Sequence, residues 1–273
     1  LGEAEVLSSL AVVCEFVRLH PLIPAHQALP GGSPLVTRGV TVAIDLTRSC
    51  DELQRGLSEN HRRNIKKGYR LGLRVDLNAG PEALDAFVAL YRLTMDRLGA
   101  RPEYYFSRSC LSRLFALPIG SAWLATASLR HRVVAAFLNL SGRSFWHYHL
   151  GASDDEARQV GATHLLMYES MLMAKALGKA QMHLGGGYGG RNDGLLRFKA
   201  GFGGRLCRYQ TVEKVLMPDR YAEICQEVGV DPASDTYFPA YRNPLRSPWS
   251  QAPSVASLTV TDDKVNIRDR SHP

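Results

Sequence analysis

The residues most suited to chemistry lie in Gly185–Gly204 (GGGYGGRNDGLLRFKAGFGG), where nine of twenty residues are glycine against 24 in the 273-residue chain. Glycines that follow a strand remove Cβ atoms, so backbone N–H groups can turn together into a concave site for an anion or a carbonyl oxygen. Gly185, Gly186, Gly187 and Tyr188 open this loop, and Arg191, Asp193, Arg197 and Lys199 add charge to it. Asp193 suits the N-cap of a short helix over 194–200 that Gly201 closes, which fixes the direction of Phe198 and Lys199. A solvated linker has no need of Phe198 and Phe202 among its glycines.

A second constellation is basic. Arg62, Arg63, Lys66, Lys67, Arg70 and Arg74 fall within fifteen residues that hold no acid, so this segment carries +6 of the net +7. Arg62, Lys66 and Arg70 recur at i, i+4 and i+8 on one helical face, Arg63, Asn64 and Lys67 lie beside them, and Ile65 and Tyr69 form an apolar ridge. Such a stripe favours a polyanion, whether nucleic acid, a pyrophosphate or a membrane surface.

Other patterns carry less. His147 and His149 share one face of a strand, a spacing open to a metal, but no third ligand stands nearby and no metal is expected. Arg158 to Thr163 half-matches the acetyl-CoA pyrophosphate loop of N-acetyltransferases (Q/R-x-x-G-x-G/A), with Thr163 where the last small residue belongs. Asp154, Asp155 and Glu156 read as a polar turn. A nucleophile elbow, a Walker loop and a dinucleotide-binding glycine fingerprint are all missing.

The positioning elements follow from periodicity. Residues 40–46 alternate and predict a strand, after which Thr47 or Ser49 caps a helix running through the basic segment to about Tyr69. A short strand over 73–77 leads to a helix opened by Pro81 and ending at Leu98, then a Pro102-led helix around 105–117. Three strands over 123–129, 133–140 and 144–150 are joined by hairpin-length loops, so they form an antiparallel meander. A nearly all-apolar helix over 162–177, ended by Gly178, precedes a strand over 180–184, and this order implies a mixed sheet with a buried crossover helix.

Composition sets the outer limits. Hydrophobic residues at 45% and charged residues at 22% describe an ordinary globular protein with a real core, and the order of strands and helices makes it α/β or α+β. No uncharged stretch is long enough for a membrane span. Glu3 and Glu5 give the N-terminus the wrong charge for a secretory signal, and Leu1 in place of Met suggests that the chain is trimmed upstream. Five scattered cysteines, odd in number and never in C-x-x-C spacing, read as reduced, mostly buried and cytoplasmic. The oligomeric state is open.

Five segments together resemble the Fem-type transferases of the N-acetyltransferase (GNAT) superfold: Phe16 to Pro21, His61 to Lys67, His183 to Gly187, Arg197 to Gly203, and Phe238 to Arg242. The resemblance implies a GNAT-like mixed, mostly antiparallel sheet with flanking helices. Residues 1–39 would be the remnant of a second, truncated GNAT-like lobe, 40–245 the acyltransferase domain, and 246–273 a flexible tail. It implies transfer of an aminoacyl group from aminoacyl-tRNA to an amine without ATP, on a peptidoglycan precursor or a small-molecule or antibiotic intermediate, with Lys199 and Phe198 at the reacting centre. No cofactor is expected beyond the tRNA co-substrate. The incomplete first lobe and the lack of a helical-hairpin insertion widen the acceptor beyond the cell wall.

Physical chemistry agrees with that mechanism, because ester aminolysis develops negative charge on the carbonyl oxygen, which a fixed ammonium and convergent N–H groups stabilise. Asp193 is the candidate base or amine orienter. Two rival readings stand beside it: an acyl-CoA-dependent N-acyltransferase using the Gly161 loop, and an RNA-binding protein without chemistry.

Overall fold

A computed structural model of the chain describes residues 11–23, 34–79, 83–118, 120–235 and 237–243. The proposed tail over 246–273 and the helix-opening Pro81 lie outside these residues. The described chain divides into two units, one formed by residues up to Gly39 with those from Arg208 onward, the other by Val40–Cys207.

The first unit contains β1 (Cys14–Arg18), which pairs antiparallel with β8 (Arg205–Val215) from Cys14 opposite Val215 to Arg18 opposite Thr211. Its helix α8 (Pro218–Glu227) buries Tyr221 and Cys225 against Val230 and Ala240, and the Tyr221 hydroxyl accepts a hydrogen bond from the Ala240 backbone at 2.9 Å. Sequence periodicity signalled neither β1, β8 nor α8. Each is short or half-exposed, so none shows a long apolar repeat.

The second unit begins within β2 (Leu35–Asp45). It continues through α1 (Cys50–Gly56), α2 (Glu59–Arg70), β3 (Arg74–Asp76), α3 (Ala83–Leu98) and α4 (Arg108–Ser112). The meander β4 (Ala122–Leu129), β5 (Arg132–Ser141) and β6 (Phe145–Ser153) follows, then α5 (Asp155–Val160), α6 (Ala162–Ala176), β7 (Gln181–Gly186) and α7 (Gly194–Ala200). Within this unit the strand order is β2-β7-β6-β5-β4-β3. Only β6 and β7 run parallel, and the other neighbours are antiparallel. This is the expected α/β class, a mixed and mostly antiparallel sheet flanked by helices.

Strand alternation divides the core between two faces. Ala125, Ala127, Ala135 and Phe137 meet Leu53, Ile65, Leu165 and Met171 on one side, while Leu124, Ala136, Leu138 and Ala152 meet Leu84, Phe87, Tyr91 and Leu111 on the other. Helix α6 is buried on most of its surface, as its composition foretold. Each fully buried Leu or Met there contributes roughly 1.5–3 kcal/mol.

Three local expectations are corrected. The single helix expected from Ser49 to Tyr69 is two, because Ser49 and Glu52 form a reciprocal capping box for α1 and Ser58 then starts α2 by accepting the His61 N–H. The buried ridge of α2 is His61, Ile65 and Gly68; Tyr69 is 50% exposed and donates its hydroxyl to Glu169 on α6. The segment over 105–117 breaks into α4 flanked by single 3₁₀ turns, since Ser107 caps a new start by accepting the Cys110 N–H. The cysteines are all free, but only Cys207 and Cys225 are buried.

Candidate active site

The sheet opens at its centre. β6 and β7 pair through Phe145, Trp146 and His147 opposite Gln181, Met182 and His183, and no ladder joins them beyond that point. Past the parting, β7 continues as Gly185 and Gly186 against Val42 and Thr41 of β2, while β6 continues through Tyr148. His147 finds its partner in His183, their Nδ1 atoms 2.9 Å apart.

Helix α7 delivers Lys199 to this opening. The Lys199 ammonium donates to the Gly186 carbonyl oxygen at 2.7 Å and lies 5.7 Å from the centre of the Tyr148 ring. Gly185 adopts φ +76°, and a Cβ there would stand 3.2 Å from the ammonium, so this position keeps the approach clear. Lys199 is only 7% exposed. Burial lowers its pKa to about 8, against the opposing pull of the Asp193 charge. At pH 7 the ammonium therefore outnumbers the amine by about ten to one. Burial also pushes the Tyr148 phenol well above its ordinary range, so it stays protonated.

Asp193 has two structural tasks. One carboxylate oxygen caps α7 by accepting the Leu196 N–H at 2.9 Å, and the other accepts the Tyr188 N–H at 2.7 Å. It thereby clamps the glycine loop onto the start of the helix that carries Lys199. Gly185, Gly186, Gly187, Tyr188, Asp193 and Lys199 thus share one locality, with Tyr188 53% exposed and Arg197 on the outer face of α7.

Phe198 faces the other way, into a cluster with His61, His164 and Phe202 whose ring centres lie 4.4–6.4 Å apart. His61 Nε2 donates to the Phe198 carbonyl oxygen at 2.8 Å, and its Nδ1 lies 2.7 Å from the Ser58 hydroxyl. Because a carbonyl only accepts, Nε2 carries the proton, which makes Nδ1 the acceptor of a neutral ring. Burial lowers the His61 pKa, and the bond to Phe198 partly offsets it. His164 is buried with neither ring nitrogen hydrogen-bonded among the described residues, and burial, with the neighbouring His61 ring pushing the same way, takes its pKa down to about 3.

The basic stripe is real but unequal. Arg62 donates to the carbonyls of Arg55 and Leu57 at the end of α1, which makes it a cap for that helix. Arg63, Lys66 and Arg70 are exposed, and Lys67 half so. The Asn64 side chain bonds back to Asn60, while the Asn64 backbone carbonyl oxygen would lie 2.4 Å from any Cβ placed on Gly161. Gly161, at φ +76°, both ends α5 and starts α6, and the backbone of α2 passes close to it on the side a Cβ would occupy.

Sequence reading missed Tyr148 and the His61–His164 pair as parts of this site. The signal for His61 was present, since it lies four residues before the buried Ile65 on the same helical face. Tyr148 had none, because its role depends on where the two strands part.

No helix among the described residues is long and apolar enough to cross a membrane. No curated protein matches the chain. Among solved structures the chain is similar to FemX, at 16% identity and a TM-score of 0.63, covering 81% of this chain and 79% of that one. It is also similar to the C-terminal domain of a putative lysylphosphatidylglycerol synthetase from Agrobacterium fabrum (17% identity, TM-score 0.52, covering 77% and 70%). A third similar structure is L-PGS from Bacillus licheniformis (13%, TM-score 0.50, covering 79% and 72%). At these identities the likeness is one of fold. The model of the acetyltransferase (GNAT) domain family matches residues 55–199, just over half of the sequence. With its opened sheet and its family match, the chain belongs to the GNAT-fold acyltransferases.

Proposed function

We propose that this protein forms an amide bond by transferring an aminoacyl group from aminoacyl-tRNA to an amine acceptor, on a peptidoglycan precursor or a small-molecule intermediate. The observation that carries the reading is the Lys199 ammonium, buried at the parting of β6 and β7 and bonded to the Gly186 carbonyl. A neutral acceptor amine attacks the ester carbonyl carbon, the C–N bond forms, and the oxygen takes up negative charge. Lys199 has N–H donors beyond the one spent on Gly186, and they stabilise that oxyanion. Collapse expels the ribose oxygen, which takes the proton released by the new ammonium. The ester is already activated, so holding amine and ester together supplies much of the remaining rate.

The donor assignment is supported by the exposed cations of α2, Arg63, Lys66 and Arg70. The same donor sets the enzyme in the cytoplasm. The test is incubation with radiolabelled aminoacyl-tRNA or labelled acetyl-CoA and a panel of amines, with a ribonuclease control. Label should reach an amine from aminoacyl-tRNA and fail to do so after ribonuclease. Transfer from acetyl-CoA that ignores ribonuclease would overturn the reading, and RNA binding without any transfer would reduce the protein to a binding module.

A further inference from the structure

A cavity of about 370 Å³ lies beyond the far end of α2, lined by Leu71, Gly72, Arg74, the β4–β5 turn residues Arg130 and His131, and Glu156. Its size falls within the roughly 300–1,000 Å³ of ordinary ligand sites. The charges around it are unbalanced. Arg132 already engages both Asp154 and Glu156, whereas Arg70, Arg74, Arg130 and Arg158 have no ion-paired carboxylate among the described residues. The turn itself is unusual, because Arg130 and His131 have φ of +49° and +67° at positions where asparagine and glycine are favoured. An arginine and a histidine are thus kept at a turn whose backbone disfavours them.

Helix α2 connects this cavity to the candidate active site. Its first turn is tied to the lysine-bearing helix through the His61 bond to the Phe198 carbonyl and through the Ser58 N–H donated to the Gly201 carbonyl at 2.8 Å. Its last turn runs into Leu71, Gly72 and Arg74 at the cavity rim. Twelve residues at ~1.5 Å each make a ruler about 18 Å long.

We infer that the cavity framed by Arg74, Arg130 and His131 holds a backbone phosphate of the RNA donor, with the exposed cations of α2 contacting the strand between it and the ester. The inference rests on the RNA-donor reading proposed above. Both arginines are exposed surface residues, so reversing their charge leaves the core intact, and a melting curve checks this.

The experiment measures binding of the full chain to fluorescently labelled, uncharged tRNA across a salt series, for the wild type and for Arg74→Glu/Arg130→Glu. The double variant should bind about tenfold more weakly, and the slope of log Kd against log salt should fall by about 1–2, as expected for lost phosphate contacts. Equal affinity and slope in both proteins would overturn the cavity assignment while leaving the donor reading standing. A wild type that fails to bind tRNA would overturn both. Unchanged tRNA binding with loss of binding to vesicles containing anionic phospholipid would overturn the RNA assignment in favour of a membrane surface.

Discussion

His61 donates from Nε2 to the carbonyl oxygen of Phe198, the residue immediately before Lys199, at 2.8 Å. One imidazole therefore joins the first turn of the basic helix to the helix that carries the ammonium. Neither segment can shift without breaking a bond whose partners are shielded from water, where a lost hydrogen bond costs most.

Lys199 should behave as a fixed positive charge. Lys199→Met is expected to lower kcat about 10²–10³-fold, the cost typical of removing an oxyanion donor, with little change in the KM for the donor. Because burial brings the Lys199 pKa down to about 8, wild-type kcat should fall as pH rises through that value. Lys199→Arg should retain a measurable rate and lose this falling limb. A pH profile of single-turnover transfer decides it, and an unmoved limb in the arginine variant would assign it to another group.

Asp193 can be tested as clamp against base. Both its oxygens accept backbone N–H groups, so Asp193→Asn keeps an acceptor for the Leu196 cap and should retain most activity. Asp193→Ala should lose about 1 kcal/mol of stability with the cap, measurable by urea unfolding, and more of the rate than asparagine does. Removing the carboxylate charge also disfavours the ammonium, so the high-pH limb of the asparagine variant should move down. A variant inactive at every pH would point instead to a proton-transfer role.

Gly161 should resist substitution. At φ +76° and with the Asn64 carbonyl 2.4 Å from a prospective Cβ, Gly161→Ala is expected to cost roughly 1–3 kcal/mol and lower Tm. Acetyl-CoA should leave the wild-type Tm unchanged. A rise in Tm that grows with acetyl-CoA concentration would favour the acyl-CoA donor instead.

The histidine cluster predicts acid sensitivity. His164 has a folded pKa of about 3 against 6.5 unfolded, so below pH 6.5 the unfolded chain binds a proton that the folded one refuses. Stability is fully present above about pH 6.5 and is lost as pH falls, by about 2 kcal/mol at pH 5 from this residue. His164→Leu should flatten the Tm profile between pH 7 and pH 5. A profile as steep as the wild type would place the acid sensitivity elsewhere.

Much of the second unit was legible because its signals are local. The meander, the apolar α6 and the Asp193-capped α7 each announce themselves through alternation, composition or a cap within a few residues. The break at Leu57 and Ser58 was overlooked because helical periodicity on both sides masks two extended residues, which the Ser58 bond to Gly201 from a distant segment helps to hold. Lys199 was legible as a charge among glycines, but its burial over Tyr148 depends on strand pairing that stops after three residues. No periodicity encodes the end of a ladder.

That interrupted ladder turns the middle of a sheet into a pair of inner borders, with backbone groups released from their neighbours. Lys199, with Tyr148 beneath it, stands at this opening. Its bond gives the Gly186 carbonyl a partner there, so neutralising the ammonium leaves a buried acceptor unpaired and should lower Tm as well as rate.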